Sequence, residues 1–395
     1  MSPIFTLYLN CALYLVLFLV CIKKKKGKLG VLLVSIYAAI AVGCAFFYSQ
    51  GEYRVRDLLL WPFLYYFVVF LILLLPLQKN VNYLEKVTIP NIKLLNIVFD
   101  CYLIVSVLYI YALYGNVMEA LNSGSWLSVY VNMRDEDAVF YHSFYEQVLI
   151  NITTYLRIPA IFYAFFVYAK KIPYGRKALL LIVPFINSAI WAIFTASRTE
   201  FVVIGFLYVA CFLMLSGVFS SAFKKKMFVA LAVFGTIAAV FVIAVSASRF
   251  GEGESSWLKD YFGDSFIVAH NTIGYTDRLG YGSYFLKQIN QMLGVHMTPY
   301  HCPIDEGTAF HSLIGMRYSD FGIIGTILYA LVGYVWMSHL INKKRMLLGD
   351  IYLLLYYFIV LFIGVFYDSV SAYSWLIVMV FSLLLNYIST RNVKI

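Results

Sequence analysis

The sequence has little charge for its length. Asp, Glu, Lys and Arg make up 13% of the 395 residues, whereas 62% are hydrophobic. Soluble globular domains carry about 25% charged residues, so a soluble enzyme or a disordered regulator does not fit this composition. It indicates an integral membrane protein.

Three further features are missing. No stretch of about ten residues alternates between apolar and polar side chains, as the strands of a membrane β-barrel do. Five of the six cysteines fall in apolar runs and only Cys302 lies in a polar segment, so no disulfide framework is expected there. No basic residues precede the first apolar run, as they would in a cleavable signal peptide, so we expect this helix to be retained.

Long apolar runs are present instead. A helix needs about 20 apolar residues to cross the hydrocarbon core, and eleven runs approach that length. They lie near 3–22, 29–48, 58–77, 94–114, 146–169, 178–196, 200–219, 228–247, 321–341, 350–367 and 371–388. We therefore predict an all-α, polytopic membrane protein with about eleven transmembrane helices, in which residues 1–395 form a single transmembrane domain.

Basic residues mark one side of this topology. Most of the 30 Lys and Arg residues fall in alternate loops, at 23–28, 79–93, 170–177, 224–226, 343–345 and 391–394. Loops rich in Lys and Arg face the cytoplasm. The net charge of +10 is therefore a topology signal and does not indicate nucleic-acid binding. With eleven helices, we expect the N-terminus outside and the C-terminus in the cytoplasm.

The opposite face carries two long segments, residues 115–145 and residues 248–320. Within the second we expect short helices at 257–270 and 284–293 that rest on the membrane surface. We predict no metal site in either segment. The acidic run 135–137 resembles a metal-binding Asp-x-Asp motif, but such runs are common in loops. The potential ligands at 296–306 have no established ligand spacing.

The same face also has a tight turn at residues 195–200. Ser197 and Glu200 match a helix capping box, which gives both a structural explanation. Arg198 is left without one, although an arginine inside hydrocarbon costs about 2.5–3.5 kcal/mol unless it reaches water or an anion. Because the next helix would also offer free N–H groups at its start, this turn is a candidate anion site.

His311, Arg317 and Asp320 close the long polar segment. Asp320 is placed to be the N-cap of a helix that starts at Phe321. His311 has two interpretations: an interfacial histidine held by a backbone carbonyl, or a base poised near neutral pH.

Three features together resemble the O-antigen polymerases, which share a superfamily with the O-antigen ligases. They are the turn Ser197-Arg198-Thr199 between consecutive helices, a large outer loop that starts with Arg249, and an ending in which His311-Ser312 and nine more residues precede Gly322-x-x-Gly325. Asp320-Phe-Gly322 is the polymerase-like form of this ending. The ligases tend to carry an Arg-x-x-x-Leu element in the loop, which Arg278-Leu279 does not fit.

The resemblance implies a metal-independent glycosyltransferase of a bacterial inner membrane, without a cofactor and distantly similar to the polyprenol-dependent (GT-C type) fold. Such an enzyme transfers a growing glycan from undecaprenyl pyrophosphate to a sugar hydroxyl of the next lipid-linked repeat unit, at the periplasmic face. Its partners would be lipid-linked oligosaccharides, the bilayer and a chain-length regulator protein, but no nucleic acid.

We accordingly expect Arg198 and Arg249 to stabilise the leaving pyrophosphate, His311 to act as base, and the transfer to invert the anomeric configuration. The residues expected to bind pyrophosphate or glycan are Arg278, Arg317, Arg134, Asp320, Glu200 and Tyr281.

Three alternatives stay open. The first is an O-antigen ligase, which moves the same donor to a different acceptor. The second is a metal-dependent sugar-phosphate transferase that uses Asp135 and Asp137. The third is a flippase or other transporter, in which charged or broken helices at mid-membrane are usual. The apolar runs here are nearly free of charge, with Asp100 and Arg157 as the main exceptions. This scarcity of interior charge favours chemistry at the membrane surface over transport through it.

Overall fold

The structure is a computed structural model that describes residues 3–48, 57–123, 126, 128–129, 144–250, 260–303, 311–368 and 370–391, without the side chains of 247–250 and 260–261. These residues form α-helices and no β-strand, which confirms the all-α prediction. The helices are α1 (Pro3–Lys23), α2 (Lys28–Tyr48), α3 (Leu60–Leu74), α4 (Tyr83–Lys86), α5 (Ile92–Asn122), α6 (Phe144–Ala169), α7 (Leu179–Phe194), α8 (Thr199–Leu215), α9 (Ser221–Phe250), α10 (Ser265–Tyr275), α11 (Lys287–Met292), α12 (Leu313–Asn342), α13 (Leu348–Ile363) and α14 (Ala372–Thr390).

Eight helices of the described chain are long and apolar enough to cross a membrane, which confirms a multi-pass protein. They are α1, α2, α3 with its 3-10 extension to Gln78, α5, α6, α9, α12 and α14. The other three predicted runs fall on α7, α8 and α13, which have 16, 17 and 16 residues. At 1.5 Å per residue these helices are about 24–26 Å long, less than the roughly 30 Å of hydrocarbon. Eleven complete crossings therefore stay a prediction.

The chain divides into two compact units, which the sequence analysis did not separate. Unit 1 comprises Met1–Val81, Ser255–Lys344 and Tyr356–Val380, and unit 2 comprises Asn82–Glu254, Arg345–Leu355 and Phe381–Ile395.

Aromatic side chains fill the core of unit 1. Tyr37 stacks on Phe70 with ring centroids 3.9 Å apart, and Tyr14 and Phe266 pack against the same group. Phe266 belongs to α10, whose residues are mostly buried. The predicted helix at 257–270 overlaps a π-helical turn, Asp260–Asp264, and α10, but its predicted place on the membrane surface is wrong. Helix α10 packs into the core because its Phe, Ile and Val side chains fit against α2 and α3. The second predicted helix corresponds to α11, which has no buried residue.

Helix α12 starts earlier than the sequence indicated. It begins at Leu313, and the Ser312 hydroxyl caps it by accepting a hydrogen bond from the Gly315 amide at 3.2 Å. The helix is broken at Gly322, where φ is 67° and ψ is −168°. This left-handed conformation favours glycine, and an added Cβ would also lie 3.1 Å from Leu279 Cδ1. The predicted N-cap role of Asp320 is therefore wrong, because Asp320 lies inside α12.

Unit 2 keeps polar side chains among its apolar helices. Phe99 and Tyr163 stack with centroids 4.6 Å apart, and the Tyr163 hydroxyl donates to Asn96 Oδ1 at 2.6 Å. Deeper in the unit, Asn187 Nδ2 donates to Ser106 Oγ at 2.9 Å. Buried polar groups in a membrane protein must find partners inside it, so these pairs fix the helices in register.

Candidate functional site

The turn between α7 and α8, in unit 2, holds Arg198. Helix α7 ends at Phe194, α8 begins at Thr199, and Arg198 is the residue that precedes the first turn of α8. The side chain is only 6% exposed. Its Nη1 donates to Ser246 Oγ on α9 at 2.8 Å, and that hydroxyl in turn donates to the Val242 carbonyl at 2.6 Å. A guanidinium is thus buried at the start of an apolar helix.

The contact with Ser246 also locates Arg249. Arg249 follows Ser246 by three residues within α9, which continues to Phe250. Residues three apart in an α-helix are neighbours along its surface. The backbone therefore places Arg249 one helical turn beyond the residue that Arg198 contacts. Two of the three residues expected to be catalytic belong to this one region of unit 2.

Glu200 has a different partner from the one predicted. Its carboxylate forms an ion pair with Arg157 Nη1 of α6 at 2.5 Å. Arg198, and not Ser197, precedes α8, and no side chain caps that helix. The predicted capping box is therefore wrong. A buried arginine that lost its carboxylate would cost about 3–5 kcal/mol, against about 1 kcal/mol for a missing cap.

Sequence reasoning missed the role of Arg157. It is 9% exposed, and Nη1 also donates to Ser188 Oγ of α7 at 2.9 Å. Its Nε is buried and has no hydrogen-bond partner within the described chain. The signal was available, since an arginine inside an apolar run normally pairs with an acid or marks a functional site.

Arg317 is enclosed in unit 1 by its own counter-charges. The side chain is 1% exposed, and Nη2 lies 2.9 Å from Asp368 Oδ2 and donates to the Val370 carbonyl. Asp320 Oδ2 lies 3.9 Å from Nη1, and the guanidinium stacks over Phe285 at 4.3 Å from the ring centroid. This network holds α12 against the segment that precedes α14.

Asp320 is fully buried and accepts hydrogen bonds from protein backbone. Oδ1 accepts from the Tyr284 amide at 3.2 Å and Oδ2 from the Phe285 amide at 2.8 Å. The carboxylate thereby anchors the chain before α11 to α12. Tyr284 lines a cleft of about 280 Å³ on the exposed side of that chain, lined also by Ser283, Lys287, Asn290, Gln291, Val295, His296, Met297 and Pro299.

His311 stands at the entrance to α12, partly exposed. Its carbonyl accepts the amide N–H of Asp368 at 2.6 Å, and its ring meets Tyr300 edge-on with centroids 6.2 Å apart. Because Asp368 also pairs with Arg317, the backbone of His311 is attached to the Arg317 network. The main chain of His311 is thus held in place within unit 1.

The other predicted site residues lie at the surface or outside the described chain. Arg278 is exposed, and its backbone forms an antiparallel bridge with His301. His301 Nδ1 lies 2.8 Å from the neighbouring Asp277, and this hydrogen bond lowers the pKa of the Asp277 carboxyl. Tyr281 is 69% exposed, with a left-handed φ of 49°. Arg134 lies outside the described residues.

Potential metal ligands do not cluster in the part of the chain that the structure covers. No group of three His, Cys, Asp or Glu side chains there is arranged to hold an ion. The acidic pair at 135 and 137 falls outside that part of the chain.

Unit 2 thus holds two buried arginines, Arg198 and Arg157, and unit 1 holds His311 with its carbonyl hydrogen-bonded to Asp368. Comparison of the chain with protein-family models, with curated proteins and with solved structures found no match.

Proposed function

We propose that the protein is a polymerase of lipid-linked oligosaccharide repeat units, of the O-antigen type, in a bacterial inner membrane. It would transfer the growing glycan from undecaprenyl pyrophosphate to a sugar hydroxyl of the next lipid-linked repeat unit, with the N-terminus periplasmic and the C-terminus cytoplasmic. The bilayer and a chain-length regulator protein are the expected partners.

The observation that carries the proposal is the hydrogen bond from Arg198 to Ser246. It joins the Ser197-Arg198-Thr199 turn to the last turns of α9, which carry Arg249 just before the long polar segment. Both elements belong to the resemblance described above, yet they are 51 residues apart in the sequence. Two arginines in one apolar region fit a diphosphate on a lipid better than a neutral ligand.

The reaction places a different demand on each residue. The acceptor hydroxyl oxygen forms a bond to the anomeric carbon while the bond from that carbon to the pyrophosphate oxygen breaks. The electron pair of the broken bond leaves with undecaprenyl pyrophosphate. Arg198 and Arg249 stabilise the negative charge that grows on this leaving group. His311 accepts the hydroxyl proton, a task suited to an imidazole. A single displacement inverts the anomeric centre.

The experiment that tests this function is deletion of the gene in its own host, followed by gel analysis of surface lipopolysaccharide. We expect the deletion strain to show lipopolysaccharide core that carries a single repeat unit, because ligation to the core continues when polymerisation fails. Complete loss of repeat units from the core would identify a ligase or a flippase instead. An unchanged ladder would contradict the O-antigen assignment.

A further inference from the structure

The Arg157–Glu200 ion pair lies beside the turn between α7 and α8, two apolar helices of 16 and 17 residues. Helix α7 follows the basic loop at 170–177, and α8 precedes the basic residues 224–226 in the first turns of α9. If those ends lie at the membrane surface, helices of about 24–26 Å stop short of the opposite surface of a roughly 30 Å core. The turn at 195–198 is then recessed into the hydrocarbon layer. An ion pair at that depth needs a reason, because carrying charge there is costly.

The pair is incomplete as a purely structural contact. Arginine offers five N–H donors, and the buried Nε of Arg157 has no hydrogen-bond partner in the described chain. Glu200 is the more open member, with 18% of its side chain exposed against 10% for Arg157. A ligand at this turn would therefore meet Glu200 first and would find an unused donor on Arg157 behind it.

The local charge favours an anion. Arg198 stands two residues before Glu200 at the start of α8, so Arg157, Glu200 and Arg198 leave one net positive charge. The first turn of α8 adds N–H groups, which no side chain caps. The Glu200 carboxylate therefore occupies a position that favours a negative charge.

We propose that Glu200 is an internal counter-ion that occupies Arg157 until a phosphate group arrives, and that Arg157 then joins Arg198 in binding that phosphate. The ligand class is the phosphate or diphosphate headgroup of a polyprenyl lipid. This inference rests on the proposed function for its substrate class, and it adds Arg157 to the groups that bind the donor. The exchange replaces one carboxylate by a ligand of higher negative charge, so the arginine is never left alone in the apolar layer.

The test is a binding measurement on the full-length protein in lipid nanodiscs, with undecaprenyl pyrophosphate as the probe and inorganic pyrophosphate as a second arm. Glu200→Gln removes the competing charge and keeps the shape. We expect it to bind undecaprenyl pyrophosphate about tenfold more tightly, which corresponds to ~1.4 kcal/mol. Arg157→Gln is expected to bind about tenfold more weakly. If the ion pair is purely structural, Glu200→Gln should instead bind undecaprenyl pyrophosphate more weakly, because Arg157 would lose its partner and move out of place.

The matched control is Asp100→Asn, which breaks the ion pair between Asp100 and Arg176 elsewhere in unit 2 and is expected to leave affinity unchanged. If Glu200→Gln does not fold, affinity is measured on the double variant Arg157→Gln/Glu200→Gln, which removes both charges of the ion pair and leaves neither member unpaired. Weaker binding than wild type supports the proposal, and wild-type affinity overturns it.

The two hypotheses fail differently. Absence of undecaprenyl pyrophosphate binding to the wild type contradicts the proposed function as well. Wild-type binding that is lost in Arg198→Gln, combined with unchanged affinity in Glu200→Gln, contradicts only the counter-ion role. Tighter binding of inorganic pyrophosphate than of the lipid would overturn a lipid headgroup as the ligand.

Discussion

Arg198 and Ser246 are joined by a 2.8 Å hydrogen bond from Nη1 to Oγ, although 48 residues separate them. The serine hydroxyl is oriented by its own bond to the Val242 carbonyl one turn earlier. This chain of two hydrogen bonds fixes the direction of the buried guanidinium and attaches the α7–α8 turn to α9. The rest of α9 is largely exposed in unit 2, so this contact is an important restraint on the helix that carries Arg249.

Replacement of Ser246 by Ala tests this restraint. The loss of one hydrogen bond costs about 1 kcal/mol, so we expect glycan elongation to fall about fivefold to tenfold while the protein still folds. Elongation rate on a lipid-linked repeat unit is the measurement. Thr236→Ala is the control, because Thr236 makes the same bond to a carbonyl four residues earlier on the exposed face of α9. Equal rates in both variants would remove the positioning role.

Substitution of lysine for Arg198 or Arg249 tests diphosphate recognition. Lysine keeps the positive charge but loses the planar, two-pronged contact with phosphate oxygens. Loss of a fixed transition-state donor typically costs 10²–10³ in rate, and we expect about a hundredfold drop in turnover for each variant. Arg176→Lys, in a basic loop, serves as the control. Full activity in both lysine variants would count against the assignment.

His311→Ala separates base catalysis from binding. Removal of a general base lowers turnover by about 10²–10⁴-fold and leaves donor affinity nearly unchanged. Single-turnover elongation and undecaprenyl pyrophosphate binding should be measured on the same preparation. His296→Ala, at an exposed position on the same loop, is the control. A variant defective only in donor binding would exclude His311 as the base.

The sequence predicted the helices well because long apolar runs are a local signal. Glu200 and Asp320 show where this approach fails. Each was assigned a cap from its neighbours in sequence, whereas its partners are 43 and about 35 residues away. Caps are worth about 1 kcal/mol, and partnerships that keep buried charges satisfied are worth more, so the distant partner prevails.

Arg317 illustrates a further limit. It was expected to bind pyrophosphate or glycan, and nothing nearby in sequence showed that Asp368 would neutralise it. Because it contacts two carboxylates and two aromatic rings, its main contribution in unit 1 is to stability. The pairing of an interior arginine in one run with an acid in a later turn is visible only when the helices are assembled.

Arg317→Met should therefore destabilise the protein. It leaves two carboxylates buried without their cation, a change that costs about 3–5 kcal/mol. We expect a clear fall in the thermal unfolding midpoint in detergent. The combined variant Arg317→Met/Asp368→Leu should recover part of this loss, because one of the stranded charges is gone. A midpoint equal to that of the wild type in Arg317→Met would contradict the structural role.

Asp368 gives the stability of this network a pH dependence. Burial raises the pKa of Asp368, although the nearby Arg317 guanidinium opposes the shift. A raised pKa means that the folded protein holds the proton more tightly than the unfolded chain, whose value is about 3.9. The stabilisation that protonated Asp368 adds to the folded protein is therefore fully present below a pH of about 3.9 and is lost as the pH rises through the pKa of the folded state.

The difference in unfolding midpoint between wild type and Asp368→Asn should accordingly shift with pH. We expect the wild type to lose stability relative to the variant as the pH rises from about 4, because asparagine cannot ionise. Thermal unfolding at a series of pH values measures this difference. A difference that is constant from pH 4 to 8 would show that Asp368 does not titrate as its burial requires.

The proposed polymerase activity is tested by reconstituting the purified protein in liposomes with an undecaprenyl-pyrophosphate-linked repeat unit and a chelator. We expect a ladder of longer lipid-linked glycans, with one undecaprenyl pyrophosphate released for each unit added and inverted anomeric configuration at each new linkage. Arg198→Gln should give no ladder. Absence of elongation by the wild type, elongation only with a divalent metal, or retained anomeric configuration would contradict the account.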